Sequence, residues 1–236
     1  MGLMETFPED WHRALFIVAH PDDPEYGAAA AVARWTDLGK EVTYLLVTRG
    51  EAGIDAMAPD ESGPLRAQEQ VRAAAVVGVD TVEFLDGHQD GVIEYGVPLR
   101  RDLALAIRRH QPELVLGLNP RTTWPGGVLN MADHTAVGQA IPDACRDAAN
   151  RWVFNDQLVD GLEPWAGVRR VAFTASPEAG HGVDVTDTWE RGEQSLAQHR
   201  VYLDSVGAPE FLRPMAEHTG AELGCDLAAA WELIEI

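Results

Sequence analysis

Basic residues are scarce in this chain: 18 lysines and arginines stand against 38 aspartates and glutamates, a formal net charge of −20 over 236 residues. A surface that grips a phosphate backbone needs the opposite balance, so no nucleic-acid partner is expected. The acids are scattered rather than gathered in a tail, which reads as a solvated surface. Cysteine is almost missing. Cys145 and Cys225 stand far apart with no CxxC spacing, which excludes a disulfide framework and a thiolate metal site and fits a reducing compartment. No apolar run is long enough to cross a bilayer. The opening "MGLMETFPEDW" has neither the basic nor the apolar region of a secretory signal. The expectation is a cytoplasmic protein with no membrane partner. A GxGxxG after the first apolar segment is also lacking, which disfavours a nucleotide-dependent oxidoreductase.

What is present is a globular composition, 46% apolar, in a length that suits one domain over residues 1–236. "ALFIVA" (14–19) is a short continuous apolar run, the mark of a strand buried on both faces of a parallel sheet. "PEYGAAAAVARWTDL" (24–38) predicts a helix, with proline in its first turn and Gly39 after its end. "EVTYLLVT" (41–48) predicts the next strand. The alternation continues with a helix over 65–77, a strand over 81–85, a helix over 98–110, a strand over 114–118 and a helix over 132–149. A strand in "GVRRVAFTA" and one helix over 188–206 follow. Such alternation predicts an α/β fold, a Rossmann-like three-layer sandwich with a mostly parallel sheet. Ligands of such sheets bind beyond the carboxyl ends of the strands.

The first of those ends carries "VAHPDDPEYG". Imidazole nitrogens and carboxylate oxygens are ligands for zinc or a similar divalent ion, and the prolines stiffen the turn that presents them. If Asp23 binds metal, Asp22 or Glu25 is free to accept a proton from an activated water. If a helix begins at Pro24, either aspartate is equally suited to cap it. A third ligand must come from another strand end, and "NMADHTAVGQ" supplies Asp133 and His134 at the start of a helix after strand 114–118. His134 would complete three ligands and leave the open position of a catalytic rather than a structural zinc site.

"AHPDDPE" before an alanine-rich helix, a strand ending "VTRGEAG", then "LRAQEQ" and finally "ADH" opening a helix resemble the LmbE-like, or PIG-L-type, N-acetylglucosaminyl deacetylases. "HGVDVT" and "SLAQHRVYL" extend the likeness to about residue 203. The resemblance implies an LmbE-like fold and a zinc-dependent N-deacetylase, a hydrolase of linear, non-peptide amides. It makes His20, Asp23 and His134 the metal ligands, Asp22 the general base, Arg66 a substrate-binding residue and Asp133 an acid that tunes the neighbouring site. His199 matches a recurrent histidine of unassigned role. The implied partner is a small N-acylated amino sugar or conjugate, and a homo-oligomer is compatible with the sequence. Zinc is the implied cofactor, although two histidines and an aspartate also accept Fe2+ and other divalent ions.

One position departs from the resemblance. The family's second motif is commonly H-x-D-H, whose first histidine stabilises the oxyanion or protonates the leaving amine, and here that position is Met131. A thioether does neither, so the polarising group is expected to be the zinc itself or another donor, for which His181 and Asn130 are the candidates. Trp124 in "TTWPGG" suits either stacking on a sugar or packing its own loop. The reading opposed to the enzyme is a catalytically impaired relative that keeps the metal turn for binding. The intact Asp22 speaks against it, since a binding-only protein needs no base beside its ligands.

Overall fold

The computed structural model describes residues 4–236. Strand β2 (Arg13–Val18) buries five of its six residues, and its side chains feed two separate cores. Phe16 and Val18 belong to one, Leu15 and Ile17 to the other, as the two-residue repeat of a strand covered on both faces requires.

Around it, in chain order, lie β1 (Glu5–Thr6), α1 (Ala29–Asp37), β3 (Glu41–Leu46), α2 (Pro59–Val76), β4 (Thr81–Phe84), α3 (Val97–His110), β5 (Leu114–Leu118) and α4 (Ala132–Ala149). They are followed by β6 (Arg170–Thr174), β7 (His181–Asp184), α5 (Trp189–Leu196), α6 (Arg200–Val206), α7 (Leu212–Leu223) and β8 (Ala228–Glu235). One sheet runs in the order β1-β7-β8-β6-β5-β2-β3-β4. The pairs β4–β3, β3–β2, β2–β5 and β5–β6 are parallel, whereas β8 is antiparallel to both of its neighbours. α1 and the aromatic group of Phe7, Trp11, Trp35 and Trp231 cover one face, and α3 and α4 cover the other. This is a three-layer α/β sandwich of Rossmann type.

The chain runs from β2 outward through β3 and β4, then returns to place β5 on the other side of β2. Loops that leave β2 and β5 therefore diverge and open a crevice at the carboxyl ends of these strands. "HPDD" leaves β2, and the segment holding Asn130, Asp133 and His134 leaves β5.

Several elements depart from the sequence expectation. Residues 21–28 form turns rather than helix, and α1 begins only at Ala29, after Ala28. Neither aspartate is thus a helix cap. Asp22 at φ +89° and Gly27 at φ +124° occupy backbone conformations that no α-helix passes through. α2 begins at Pro59 and carries Pro64 inside the helix, where the missing N–H leaves the Asp60 carbonyl without its donor four residues on. The stretch expected as one helix over 188–206 breaks at His199 into α5 and α6. α7 and β8 were outside the sequence reading. Glu232, buried in β8 and bonded to Ser176 and Arg121, interrupts what would have been a recognisable apolar run.

Candidate active site

His20, Asp22 and Asp23 follow directly on β2, and all three are buried. The turn is fixed by its own aspartate: Oδ2 of Asp23 accepts the backbone N–H groups of Ala19 at 3.0 Å and His20 at 2.9 Å. Oδ1 of the same carboxylate is left free and stands 3.2 Å from Nε2 of His134, on the first turn of α4. Nδ1 of His20 stands 3.2 Å from that same Nε2. Ligand atoms sharing a tetrahedral zinc at about 2.1 Å stand about 3.4 Å apart. Two of the three separations are therefore close to those of such a polyhedron, and all three ligand atoms lie within 4.8 Å of one another.

The tautomers agree. Nδ1 of His134 faces Oδ1 of Asn130 at 3.0 Å; an amide oxygen only accepts, so Nδ1 carries the hydrogen and Nε2 keeps a lone pair. Nε2 of His20 faces Oδ1 of Asp90 at 3.0 Å and Oδ2 of Asp133 at 3.2 Å. Its hydrogen belongs there, which leaves the Nδ1 lone pair turned toward His134 and Asp23. Both imidazoles thus present a lone pair to one point beside a carboxylate oxygen, the arrangement in which outer carboxylates and amides orient metal-binding histidines. The donor set fits a zinc ion or a similar divalent cation.

A second convergence, His20 with Asp90 and Asp133, also brings its ligand atoms within 4.8 Å of one another. It shares His20 with the first, and one neutral imidazole offers one lone pair. Asp133 is moreover engaged already: its oxygens accept the N–H groups of Gly91 at 2.7 Å and Ile93 at 3.0 Å. The two acids are best understood as the support of His20. Burial works against a charged His20, yet the bonds to Asp133, Asp23 and Asp90 hold its pKa well above the usual imidazole range. The field that favours a second proton on this ring favours a metal cation beside it equally.

Asp22 points another way. Its φ of +89° lies in the left-handed region, which costs a residue with a Cβ on the order of 1–3 kcal/mol. Oδ1 accepts a hydrogen bond from Nη2 of Arg66 at 3.1 Å, and the same nitrogen donates to Pro21 O at 2.7 Å while Nη1 donates to Gly50 O at 2.9 Å. Burial and the Asp23 carboxylate push the Asp22 carboxyl up to about 7, against the pull of Arg66. Burial also works against an ionised Asp23, but His134 holds that carboxyl well below the ordinary range. Two adjacent acids are so driven apart, one ionised and one poised to exchange a proton near neutrality.

The glycines of "TRGEAG" make room for this. A Cβ built on Gly50 would lie 2.2 Å from Nη1 of Arg66, and one on Gly53 would lie 2.1 Å from it. The guanidinium also lies under the ring of Tyr202 in α6, 4.1 Å from its centroid. Trp124 sits edge-on to His134, with ring centroids 5.5 Å apart.

Residues 15–145 match the GlcNAc-PI de-N-acetylase family, PIG-L. The chain belongs to the PIG-L family. Among relatives, it is 28% identical over 192 residues to diacetylchitobiose deacetylase of Thermococcus kodakarensis, covering 80% of this chain and 70% of that protein. It is 28% identical over 225 residues to the 1D-myo-inositol 2-acetamido-2-deoxy-alpha-D-glucopyranoside deacetylase of Kineococcus radiotolerans, covering 84% of this chain but only 61% of that protein's length. The crystal structure of N,N'-diacetylchitobiose deacetylase from Pyrococcus horikoshii superposes with a TM-score of 0.85 over 96% of this chain and 85% of that one, at 24% identity. That likeness shows the LmbE-like fold.

In this PIG-L chain, the two candidates for a donor opposite Asp22 do not reach that position free. Asn130 is buried and fully engaged: its Nδ2 donates to Asn119 O at 3.0 Å and Arg121 O at 2.9 Å, and its Oδ1 accepts the Met131 N–H and faces His134. It orients His134 and has no hydrogen left for a substrate. His181 opens β7, four strands from β2 in the sheet order, hence roughly 19 Å away at ~4.8 Å per strand, and its ring faces Glu5. Met131 stands just before α4 with its side chain half exposed.

Asp90 is the residue that sequence reasoning missed. It lies in "GHQDGVIEYG" with no ligand spacing to His20, and only the fold brings the two together. Among the described residues, no helix is long and apolar enough to cross a membrane.

Proposed function

We propose that this protein is a metal-dependent N-deacetylase that removes the acetyl group from the nitrogen of an amino sugar or amino-sugar conjugate, working as one domain over the whole chain. The observation that carries the reading is the convergence of two imidazole lone pairs and one carboxylate oxygen on a single point, with a second carboxylate, Asp22, standing beside it but outside the set. His20, Asp23 and His134 would hold the ion, with zinc favoured over Fe2+ and other divalent ions by the family resemblance, since two histidines and one carboxylate accept several of them. A divalent ion there supplies Lewis acidity toward an amide carbonyl and acidifies water.

The chain's own groups do the rest. Asp22 takes a proton from the attacking water, and its carboxyl, pushed up to about 7, then returns that proton to the departing amine nitrogen. Arg66 fixes the Asp22 carboxylate on one side; its guanidinium is itself buried and held by Gly50 O and Pro21 O, so it serves Asp22 rather than presenting a free donor to a sugar. Asn130, Asp90 and Asp133 hold the two histidine rings. Met131 offers no hydrogen bond, so the chain supplies fewer donors to the oxyanion than an H-x-D-H relative does. Loss of one such donor typically lowers kcat by roughly a hundredfold or more.

The relatives are named for diacetylchitobiose and for an N-acetylglucosaminyl inositol, and these define the first panel. Purified protein would be analysed for bound metal and assayed for free amine released from N-acetylglucosamine, N,N'-diacetylchitobiose and N-acetylglucosaminyl inositol. Release is expected with zinc bound and is expected to fall steeply, to a small but measurable residual rate, in Asp22→Asn, which should still bind metal. Metal at full occupancy with no amine released across the panel would overturn the hydrolase and leave a metal-binding relative. Loss of metal in Asp22→Asn would exchange the roles of the two aspartates.

A further inference from the structure

Asp22 is held in a left-handed backbone conformation without being glycine, and such a residue stays there only if its surroundings hold it. Its carboxylate is tied by Arg66, and its carbonyl oxygen accepts Glu25 N–H at 2.8 Å, within the turn itself. Its own N–H is different. It donates to Oε1 of Gln70, on α2, at 2.8 Å. A glutamine amide is nearly symmetric in shape, and only one of its two ends can accept a hydrogen. Gln70 is kept the right way round by Glu25, whose two oxygens lie 3.2 Å and 3.3 Å from Nε2 of Gln70. A backbone N–H only donates and a carboxylate accepts, so these two partners leave a single orientation for the amide.

Glu25 is itself fixed. Nε2 of His199 lies 3.1 Å from its Oε2, and Oγ of Ser195 lies 3.3 Å from its Oε1. Gln70, Ser195 and His199 are fully buried, and Glu25 is 3% exposed. This set touches neither the metal-ligand atoms nor the crevice. The line His199–Glu25–Gln70 ends on one atom, the amide nitrogen of Asp22. It accounts for the histidine in "SLAQHRVYL", which stands at the break between α5 and α6.

We infer that Gln70, locked in orientation by Glu25 and His199, is a positioning residue that holds Asp22 in the conformation required of the base. The inference rests on the reading of Asp22 as that base. Removing the lock frees Asp22 to relax to an ordinary φ, which swings its carboxylate away from Arg66 and from the point where the ligand atoms meet. A displacement of about 1 Å at a reacting group costs roughly a hundredfold in rate.

The test uses the full-length, zinc-loaded protein with whichever of the three acetylated sugars named above it hydrolyses. Gln70→Leu is expected to lower kcat roughly a hundredfold while KM and zinc content stay near wild type. A role confined to stability would lower yield and melting temperature but leave kcat per folded molecule unchanged, and that result would overturn the inference. Gln70→Glu faces Glu25 with a second carboxylate and should lose a comparable factor. Gln70→Glu combined with Glu25→Gln restores an acceptor for Asp22 N–H and a donor between positions 25 and 70, and should recover at least about tenfold over Gln70→Glu alone. No recovery overturns the locked-amide geometry. In an Asp22→Asn background, Gln70→Leu should change the residual rate by less than about threefold, because both changes act through one group. A full additional loss would place the action of Gln70 elsewhere.

A crystal structure of Gln70→Leu decides the matter without turnover: Asp22 is expected to leave the left-handed region, and an unchanged Asp22 overturns the proposal. Should Asp22→Asn hydrolyse as fast as wild type, it is the assignment of the base that fails, while the backbone of Asp22 in that crystal still judges Gln70.

Discussion

Nε2 of His20 lies 3.0 Å from Oδ1 of Asp90, a residue seventy positions later in the chain. Asp90 is itself anchored, its Oδ2 accepting the N–H of Ala52. The carboxylate both selects the His20 tautomer and makes the ring a stronger ligand. Asp90→Asn is therefore expected to weaken zinc binding by roughly 10–100-fold, measured by competition with a chromophoric chelator. An unchanged affinity would leave the support of His20 to Asp133 alone.

Zinc binding should also appear as stability. The ligand atoms come from two strand ends that only the fold brings together, so the ion binds the folded chain in preference to the unfolded one. At free zinc 100 times its Kd, the metal-free protein should gain about 2.7 kcal/mol, read as a higher Tm that returns on chelation. His134→Ala, which removes one of the three ligands, should abolish most of the gain. A zinc-induced shift of the same size in that variant would place the bound ion outside this site.

Gly53 offers a test of how closely the loop fits Arg66. Its Cβ would lie 2.1 Å from Nη1, and the guanidinium cannot easily move aside, being buried and bonded to Gly50 O, Pro21 O and Asp22. Gly53→Ala should lower kcat/KM about tenfold or more, since Asp22 loses its aligned cation. Wild-type kinetics in this variant would show that the loop yields instead.

The pair His199–Glu25 gives a pH signature in stability. Burial works against a charged His199, but its bond to Glu25, with Asp22 and Glu69 nearby, raises its pKa above the ordinary 6.5. A raised imidazole pKa means that the folded state binds the proton more tightly than the unfolded state. The stabilisation is fully present below about pH 6.5 and is lost as the pH rises through the folded value. The stability difference between wild type and His199→Gln, from urea titrations, should thus be largest below about pH 6.5 and shrink as the pH rises above it. A difference that grows with pH would mean that the buried ring is neutral throughout.

Much of this was readable from local pattern. Strand 114–118 and helix 132–149 were found to the residue because an unbroken apolar run and an amphipathic stretch opened by "ADH" each carry their own signal. His20, Asp23 and His134 were legible because the "HPDD" turn concentrates ligand chemistry on a few residues. Asp90 was not, since its meaning lies in a pairing across the crevice and its own loop has no spacing to betray it. Asn130 was read for its amide chemistry, but its hydrogens are consumed by Asn119 and Arg121, a fact that depends on how the 119–131 loop folds back. The helix expected from Pro24 begins only at Ala29 because Asp22 and Gly27 take positive φ, which no α-helix passes through.

β8 lies between β6 and β7 in the sheet, although it comes last of all the strands in the chain. Among the described residues, β7, and β1 which is paired to it, join the ladder of β6, β5 and β2 only through those eight residues. β2 to β6 form one continuous stretch of sheet without β8, whereas β7 and β1 join it only through β8. The sheet position of β1, early in this sequence, thus depends on β8, late in it.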